Sequence, residues 1–326
     1  MIADFRMNVL VALLLLIFNA STGLADVRSD ATAKPKDVIR KIESRKVNIW
    51  SDGTRMSGTI FRPKGITAED KLPAIILCHG WGGLGSHLDI GIAPLFAQAG
   101  YVVLTFDYRG WGTSDSRLVI KGAMPTPDAH GEVTVQARAI RELVDPFDQT
   151  EDITACLDYL SGEPGVDPKR IGLWGTSFGG GHVVYIAAKD SRVKCIVSQV
   201  PSMDGHWVHQ FFKPREQAVL RARGKIDPVP QGENIMPGLN GTPYLSRIAE
   251  YRPVAFAGLL KIPVLIIVAE KEALMDNREN GEKVYNIVRN HVPAKYEVVP
   301  GTHFEIYDTY RNQAVTSAIA WFDQHL

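Results

Sequence analysis

Between Arg170 and Tyr185 the chain reads RIGLWGTSFGGGHVVY, and no other stretch narrows the fold so sharply. A short apolar run, Ile171 to Trp174, has the length and continuity of a buried strand. Gly175-Thr176-Ser177-Phe178-Gly179-Gly180-Gly181 breaks it, and an apolar, helix-compatible run follows from His182 to Ala188. Gly-x-Ser-x-Gly in this strand-to-helix context reads as a nucleophile elbow. A serine at the tip of so tight a turn brings its neighbours two away on each side close together. A Cβ at either place would clash, and strained φ/ψ angles cost least near Gly. Ser177 Oγ is therefore expected to stand clear of a sheet, at the N-terminus of the next helix. The bland alternative is a Gly-rich turn that merely lets a strand and a helix pack.

The surrounding chain supplies a sheet for that turn. Val47 to Phe61 alternates around Ser51-Asp52-Gly53-Thr54 and reads as a hairpin. Pro73 to Cys78 (PAIILC) is a continuous apolar run, as in a parallel strand covered on both faces, and it leads into His79-Gly80-Trp81-Gly82-Gly83. Ser86 to Ala99 fits a helix ending at Gly100. Tyr101 to Phe106 is a strand leading into Asp107-Tyr108-Arg109-Gly110-Trp111-Gly112. Leu118 to Leu143 reads as an excursion above the sheet with a helix over Val133 to Leu143, and Asp148 to Leu160 as an amphipathic helix. Further strands are expected at Val193–Val200, Lys261–Ala269 and Tyr296–Val299, and a closing helix at Gln313–Leu326. Such alternation predicts an α/β fold with a doubly wound, mostly parallel sheet. Met203 to Leu260 interrupts it and is read as a mainly helical cap, at about residues 203–260. Ligands bind beyond strand C-ends in open α/β sheets, so an insertion there should overhang the pocket.

At 326 residues the chain can bury a large core. Lys+Arg and Asp+Glu number 36 each, a balance that argues against a nucleic-acid or polybasic membrane role. Val9 to Phe18 is uninterruptedly apolar, and small residues at Gly23 and Ala25 suit cleavage before Asp26. Residues 1–25 are thus read as a signal peptide, 26–46 as a lead-in and 47–326 as the folded domain, with export to the periplasm or medium. The apolar run is short for a bilayer span, so no stable membrane anchor is expected after cleavage. Cys78, Cys156 and Cys195 form no disulfide framework and no metal-ligand spacing, and read as small buried hydrophobes.

A serine hydroxyl needs a base before it attacks, and the order expected after an elbow is serine, acid, histidine. His206 and His209 fall in the inserted segment, His291 ends a helix and His325 is terminal. His303, in Pro300-Gly301-Thr302-His303-Phe304, follows the last strand, where a loop can hang an imidazole over the elbow. The acid should follow the strand ending at Ala269. Glu270, Glu272 and Asp276 are the candidates; Glu272 is preferred, with Asp276 the alternative. For the oxyanion, the backbone N–H groups of Phe178 and Trp81 are the expected donors, since Gly80 and Gly82 let the backbone approach closely. His79, Asp107 and Arg109 read as loop braces. His206-x-x-His209 lacks a third ligand for a metal.

Gly-Thr-Ser-Phe-Gly-Gly-Gly, His-Gly-Trp-Gly-Gly, Asp-Tyr-Arg-Gly-Trp-Gly and Gly-Thr-His-Phe, in their respective places from Val47 onward, resemble the α/β-hydrolase superfamily. Within it the chain is most similar to the dienelactone-hydrolase-like and CocE/NonD-like esterases. The resemblance implies a Ser-acid-His hydrolase without a cofactor, with Ser177, His303, Trp81 and Phe178 in family positions. It departs at the acid: relatives commonly place Asp after this strand, whereas this chain reads Ala269-Glu270-Lys271-Glu272. Dienelactone hydrolase proper uses a cysteine, so that activity is not implied. The expected function is an exported serine hydrolase acting on a small-molecule carboxylic ester. A peptidase or amidase on the same triad, and a non-catalytic binding protein of this fold, are the alternatives.

Overall fold

The apolar runs become the middle of one eight-stranded sheet. The computed structural model describes residues 40–232 and 238–326, so the expected signal peptide and most of the lead-in lie outside the described residues. The strands are β1 (Ile42–Ser51), β2 (Thr54–Pro63), β3 (Leu72–Cys78), β4 (Val102–Phe106), β5 (Val166–Thr176), β6 (Val193–Gln199), β7 (Val264–Lys271) and β8 (Ala294–Thr302). Their lateral order is β1-β2-β4-β3-β5-β6-β7-β8. β2 is antiparallel to β1 and β4, and every later pairing in the sheet is parallel. The β1–β2 turn uses Asp52 and Gly53, both at positive φ, as a two-residue hairpin requires.

The central strands are apolar at successive residues because both faces are covered. Ile76, Leu104, Leu173, Ile196 and Ile266 pack with Ile153, Leu157 and Val183 on one side. Ile75, Leu77, Val103, Trp174, Val197 and Leu265 pack with Phe96 and Phe322 on the other. The helices Pro146–Ser161 and Phe178–Ala187 cover the first face, and Ala93–Ala99 and Arg311–His325 the second. Helix Pro146–Ser161 starts where Pro146 sets φ and the Asp145 carboxylate accepts the N–H groups of Phe147 and Asp148.

Two sequence expectations are corrected. The helix expected over Ser86–Ala99 is two helices, Gly85–Asp89 and Ala93–Ala99. Ile90 is extended, Gly91 has φ +85°, and Pro94 sits in the first turn of the second helix. The helix expected over Val133–Leu143 does not form. Ala137–Ala139 pairs as a strand with Leu118–Ile120 instead, in a largely exposed hairpin. Val133, Ala137 and Ile140 stand at helical spacing, but Val133, Val135, Ala137 and Ala139 also alternate with polar residues at the period of a strand, and the pairing with Leu118–Ile120 takes up the strand option.

The segment from Met203 to Leu260 contains short helical turns at Gly205–Trp207, Val208–Phe211, Leu245–Ile248 and Pro253–Leu259, and one longer helix, Pro214–Ala222. Its Thr242–Pro243 pairs in parallel with Leu143–Val144, and Arg138 pairs with Asp227 at 2.7 Å. The two excursions are thus joined to one another. A Cβ on Gly82 would meet the Asn240 backbone at 3.0 Å, so the segment lies directly on the His79–Gly83 loop.

Candidate active site

Ser177 stands between the end of β5 at Thr176 and the helix Phe178–Ala187, with φ 56° and ψ −121°. That conformation is costly for a residue with a Cβ, about 1–3 kcal/mol, and its surroundings hold it there. Ser177 N–H donates to Gln199 O at 2.8 Å, while Ser177 O accepts from Gly180 N–H at 2.9 Å and Ser202 N–H at 3.0 Å. A Cβ on Gly175 would sit 2.2 Å from Gly179 O, and one on Gly179 2.3 Å from Cys78 O. The clash expected of the flanking glycines is therefore real. Phe178 N–H is among the unpaired donors at a helix start, where the helix field favours negative charge.

The loop after β3 approaches from the other side. A Cβ on Gly80 would fall 2.7 Å from Ser177 Cβ, so this loop touches the serine only because residue 80 has no side chain. The Trp81 ring packs tilted against that of Phe178, at 56° with centroids 5.7 Å apart, which brings together the two residues proposed as oxyanion donors. His79 is buried, contacts Gly80 O through Nδ1 at 3.0 Å and packs edge-on against Tyr108 at 4.4 Å. Burial pulls its pKa down to about 4, so it is neutral at pH 7. Asp107 accepts Gly85 N–H at 2.8 Å and Thr113 N–H at 3.1 Å, and Arg109 Nε donates to Asp152 at 2.7 Å. These three hold loops in place, as read from the sequence.

His303 and Glu272 meet through sheet register. Ala269 on β7 pairs with Val299 on β8, but Lys271 pairs with Thr302, because β8 carries one extra residue between them. This irregularity places Glu272 beside His303 at the C-terminal ends of neighbouring parallel strands. His303 Nδ1 lies 2.8 Å from Glu272 Oε2, with the two side chains 4% and 3% exposed. The other carboxylate oxygen, Oε1, accepts Leu274 N–H at 2.9 Å. Asp276 is elsewhere: its carboxylate is 43% exposed and takes Arg278 at 2.7 Å, and the guanidinium holds it below the usual carboxylate range. Glu270 is exposed as well. The structure brings Glu272, and neither alternative, to His303.

His206 and His209 are both exposed, and among the described residues no group of three or more His, Cys, Asp and Glu has the spacing of a metal site. All three cysteines are buried and free. Sequence reasoning missed His182. It is fully buried one turn beyond the elbow, its Nδ1 2.8 Å from Tyr251 Oη and its Nε2 3.0 Å from Gln149 Oε1. Burial lowers its pKa to about 3. The available signal was one imidazole inside an otherwise apolar helix run.

A mostly parallel eight-stranded sheet, a strained serine between β5 and its helix, and a His–carboxylate pair beyond β7 and β8 define an α/β-hydrolase. The chain belongs to the α/β-hydrolase superfamily, and the family model described as alpha/beta hydrolase fold matches residues 73–227. It is 30% identical over 287 residues to an uncharacterized 31.7 kDa protein of the traX-finO intergenic region of Escherichia coli, covering 78% of this chain and 92% of that one. It is 25% identical over 299 residues to the quorum-quenching protein AidA of Acinetobacter baumannii, covering 79% and 90%. Among solved structures, the acetyl xylan esterase of Paenibacillus sp. R4 superposes with TM-score 0.59 at 20% identity, covering 91% of this chain and 87% of that one. The protein is accordingly a hydrolase of the α/β fold.

Proposed function

We propose that this hydrolase is a serine esterase cleaving small-molecule carboxylic esters through an acyl-enzyme on Ser177. The observation that carries the proposal is the buried 2.8 Å contact between His303 Nδ1 and Glu272 Oε2. It commits Nδ1–H to the carboxylate, leaving Nε2 as the basic nitrogen that can take the Ser177 proton. Ser177 Oγ then adds to the ester carbonyl carbon. The developing oxyanion is held by the N–H groups of Phe178 and Trp81, each worth about 3 kcal/mol when aimed at the oxyanion. The imidazolium, stabilised by Glu272, returns its proton to the departing alkoxide, and the C–O ester bond breaks. Water, deprotonated by His303, attacks the acyl-enzyme and frees the acid and Ser177.

The test is a rate series on p-nitrophenyl esters from acetate to long acyl chains, with wild type and Ser177→Ala. Turnover lost in the variant is expected, and the chain-length optimum measures the pocket. A folded wild type inert on every ester would overturn the esterase reading. We also propose export, on the apolar run Val9–Phe18 and the small residues at Gly23 and Ala25. The intact mass of the protein in the periplasm or medium should start at Asp26; an N-terminus retained at Met1 would count against cleavage.

A further inference from the structure

The loop that carries His303 is held to the nucleophile at a second point. Tyr307 lies four residues beyond His303, at the end of the short turn Glu305–Tyr307. Its hydroxyl is 2.8 Å from Thr176 Oγ1, and Thr176 is covalently joined to Ser177. Thr176 and Gln199 are 3% and 2% exposed. Gln199 Nε2 donates to the same Thr176 oxygen at 3.2 Å, while the Gln199 backbone carbonyl accepts Ser177 N–H at 2.8 Å. The Thr176 hydroxyl therefore joins the base-bearing loop on one side to the frame of the elbow on the other.

The loop itself is stiffened by its own bonds. Thr302 N–H donates to Glu305 Oε2 at 2.8 Å, Tyr307 N–H to Phe304 O at 3.1 Å and Tyr310 N–H to Glu305 O at 2.9 Å. The Tyr307 ring also packs edge-on against the His303 ring, centroids 6.0 Å apart. A unit tied in this way moves as one piece, so whatever holds Tyr307 also sets where His303 stands. Among the described residues, the Tyr307–Thr176 contact is the hydrogen bond that joins loop 302–310 to the elbow. The contact to Glu272 orients the imidazole but leaves its distance from Ser177 to the loop.

We infer that Tyr307 and Thr176 are a positioning pair that sets the spacing between Ser177 and His303, an inference that rests on the proposed serine mechanism. Neither hydroxyl is assigned a proton-transfer step. Displacing a reacting group by about 1 Å can cost 10²-fold in rate, and a lost tether should give part of that.

The test is a double-mutant cycle on an ester that the wild type turns over. Tyr307→Phe removes one oxygen and keeps the ring against His303. It should lower kcat about ten-fold with KM changed by less than about two-fold. Thr176→Val should do the same, and the double variant should be no worse than either single. Thr176→Ser keeps the hydroxyl and should stay within about two-fold of wild type in kcat. Thr176→Val also strips Gln199 of a partner, so Tyr307→Phe decides if the valine variant fails to fold. A purely structural role would lower Tm while leaving kcat in place. Tyr307→Phe with wild-type kcat, or losses in the two singles that multiply, would overturn the pair. A wild type inert to esters and unlabelled at Ser177 by a fluorophosphonate would overturn the serine mechanism, and this inference with it. Labelling and turnover with an unaffected Tyr307→Phe would remove this inference alone.

Discussion

His303 and His182 are both buried, and both belong to segments that converge on Ser177, yet their surroundings suit opposite tasks. His303 has a carboxylate on Nδ1 and no other hydrogen-bond partner among the described residues. His182 has both nitrogens committed to neutral groups: Gln149 Oε1 can only accept, so Nε2 carries the proton and Nδ1 accepts from Tyr251 Oη. A buried imidazole between neutral partners is poorly placed to become charged, and its pKa falls to about 3. One beside a carboxylate can accept a proton in a transition state because the imidazolium is compensated. His182 instead ties the elbow helix to helix Pro146–Ser161 and, through Tyr251, to the inserted segment. Residue type does not separate base from brace here; the partner of the second ring nitrogen does.

The strongest way to break this comparison is at the carboxylate. Glu272→Gln should lower kcat by roughly 10⁴-fold, because the amide no longer selects the productive tautomer or stabilises imidazolium. Asp276→Asn should leave kcat within about two-fold of wild type, since solvated surface changes away from the reacting groups have small effects. Steady-state rates on one ester decide between them, and equal losses at both positions would dissolve the distinction.

His182 should answer in stability instead. His182→Ala strands Tyr251 Oη and Gln149 Oε1 and opens a cavity, at a cost of about 3 kcal/mol, read from urea unfolding midpoints. The effect should depend on pH with a definite sign. The folded pKa of about 3 lies below the ordinary 6.5, so below pH 6.5 the unfolded chain takes up a proton that the folded one does not. The His182 contribution is complete above pH 6.5 and is lost towards pH 3, by about 1.4 kcal/mol per pH unit. His79, lowered to about 4, acts in the same direction. Asp145 and Asp152, raised by burial to about 6 from 3.8, act in the opposite direction between those values. The gap between wild type and His182→Gln isolates the imidazole. It should shift against wild type on acidification from pH 6.5, and a gap constant with pH would show that His182 is not held neutral.

What could be read along the chain was whatever depends on neighbours in sequence. Gly175 acts on Gly179, within a few residues of Ser177, so the motif announced the strained turn, although the space that Gly179 needs is set by Cys78 and His79 of the neighbouring strand end. The PAIILC run announced a strand buried on both faces. The helix misread over Val133–Leu143 shows the limit, because local composition permitted it while pairing with Leu118–Ile120 offered the backbone another partner. Tyr307 and His182 were missed for a related reason: their significance lies in contacts 131 and 69 residues away.

The sequence by itself determined the fold class, Ser177 as the candidate nucleophile and His303 as the candidate base, because strand, turn and helix signals are short-range steric facts. It left Glu272 and Asp276 both open, since both follow the same strand within four residues of one another. Only the tertiary structure decided which of them meets His303. One extra residue in β8 shifts the register against β7 and sets Glu272, one residue past the end of β7, beside His303, whereas Asp276 lies four residues further along the loop, where Arg278 holds its carboxylate in solvent.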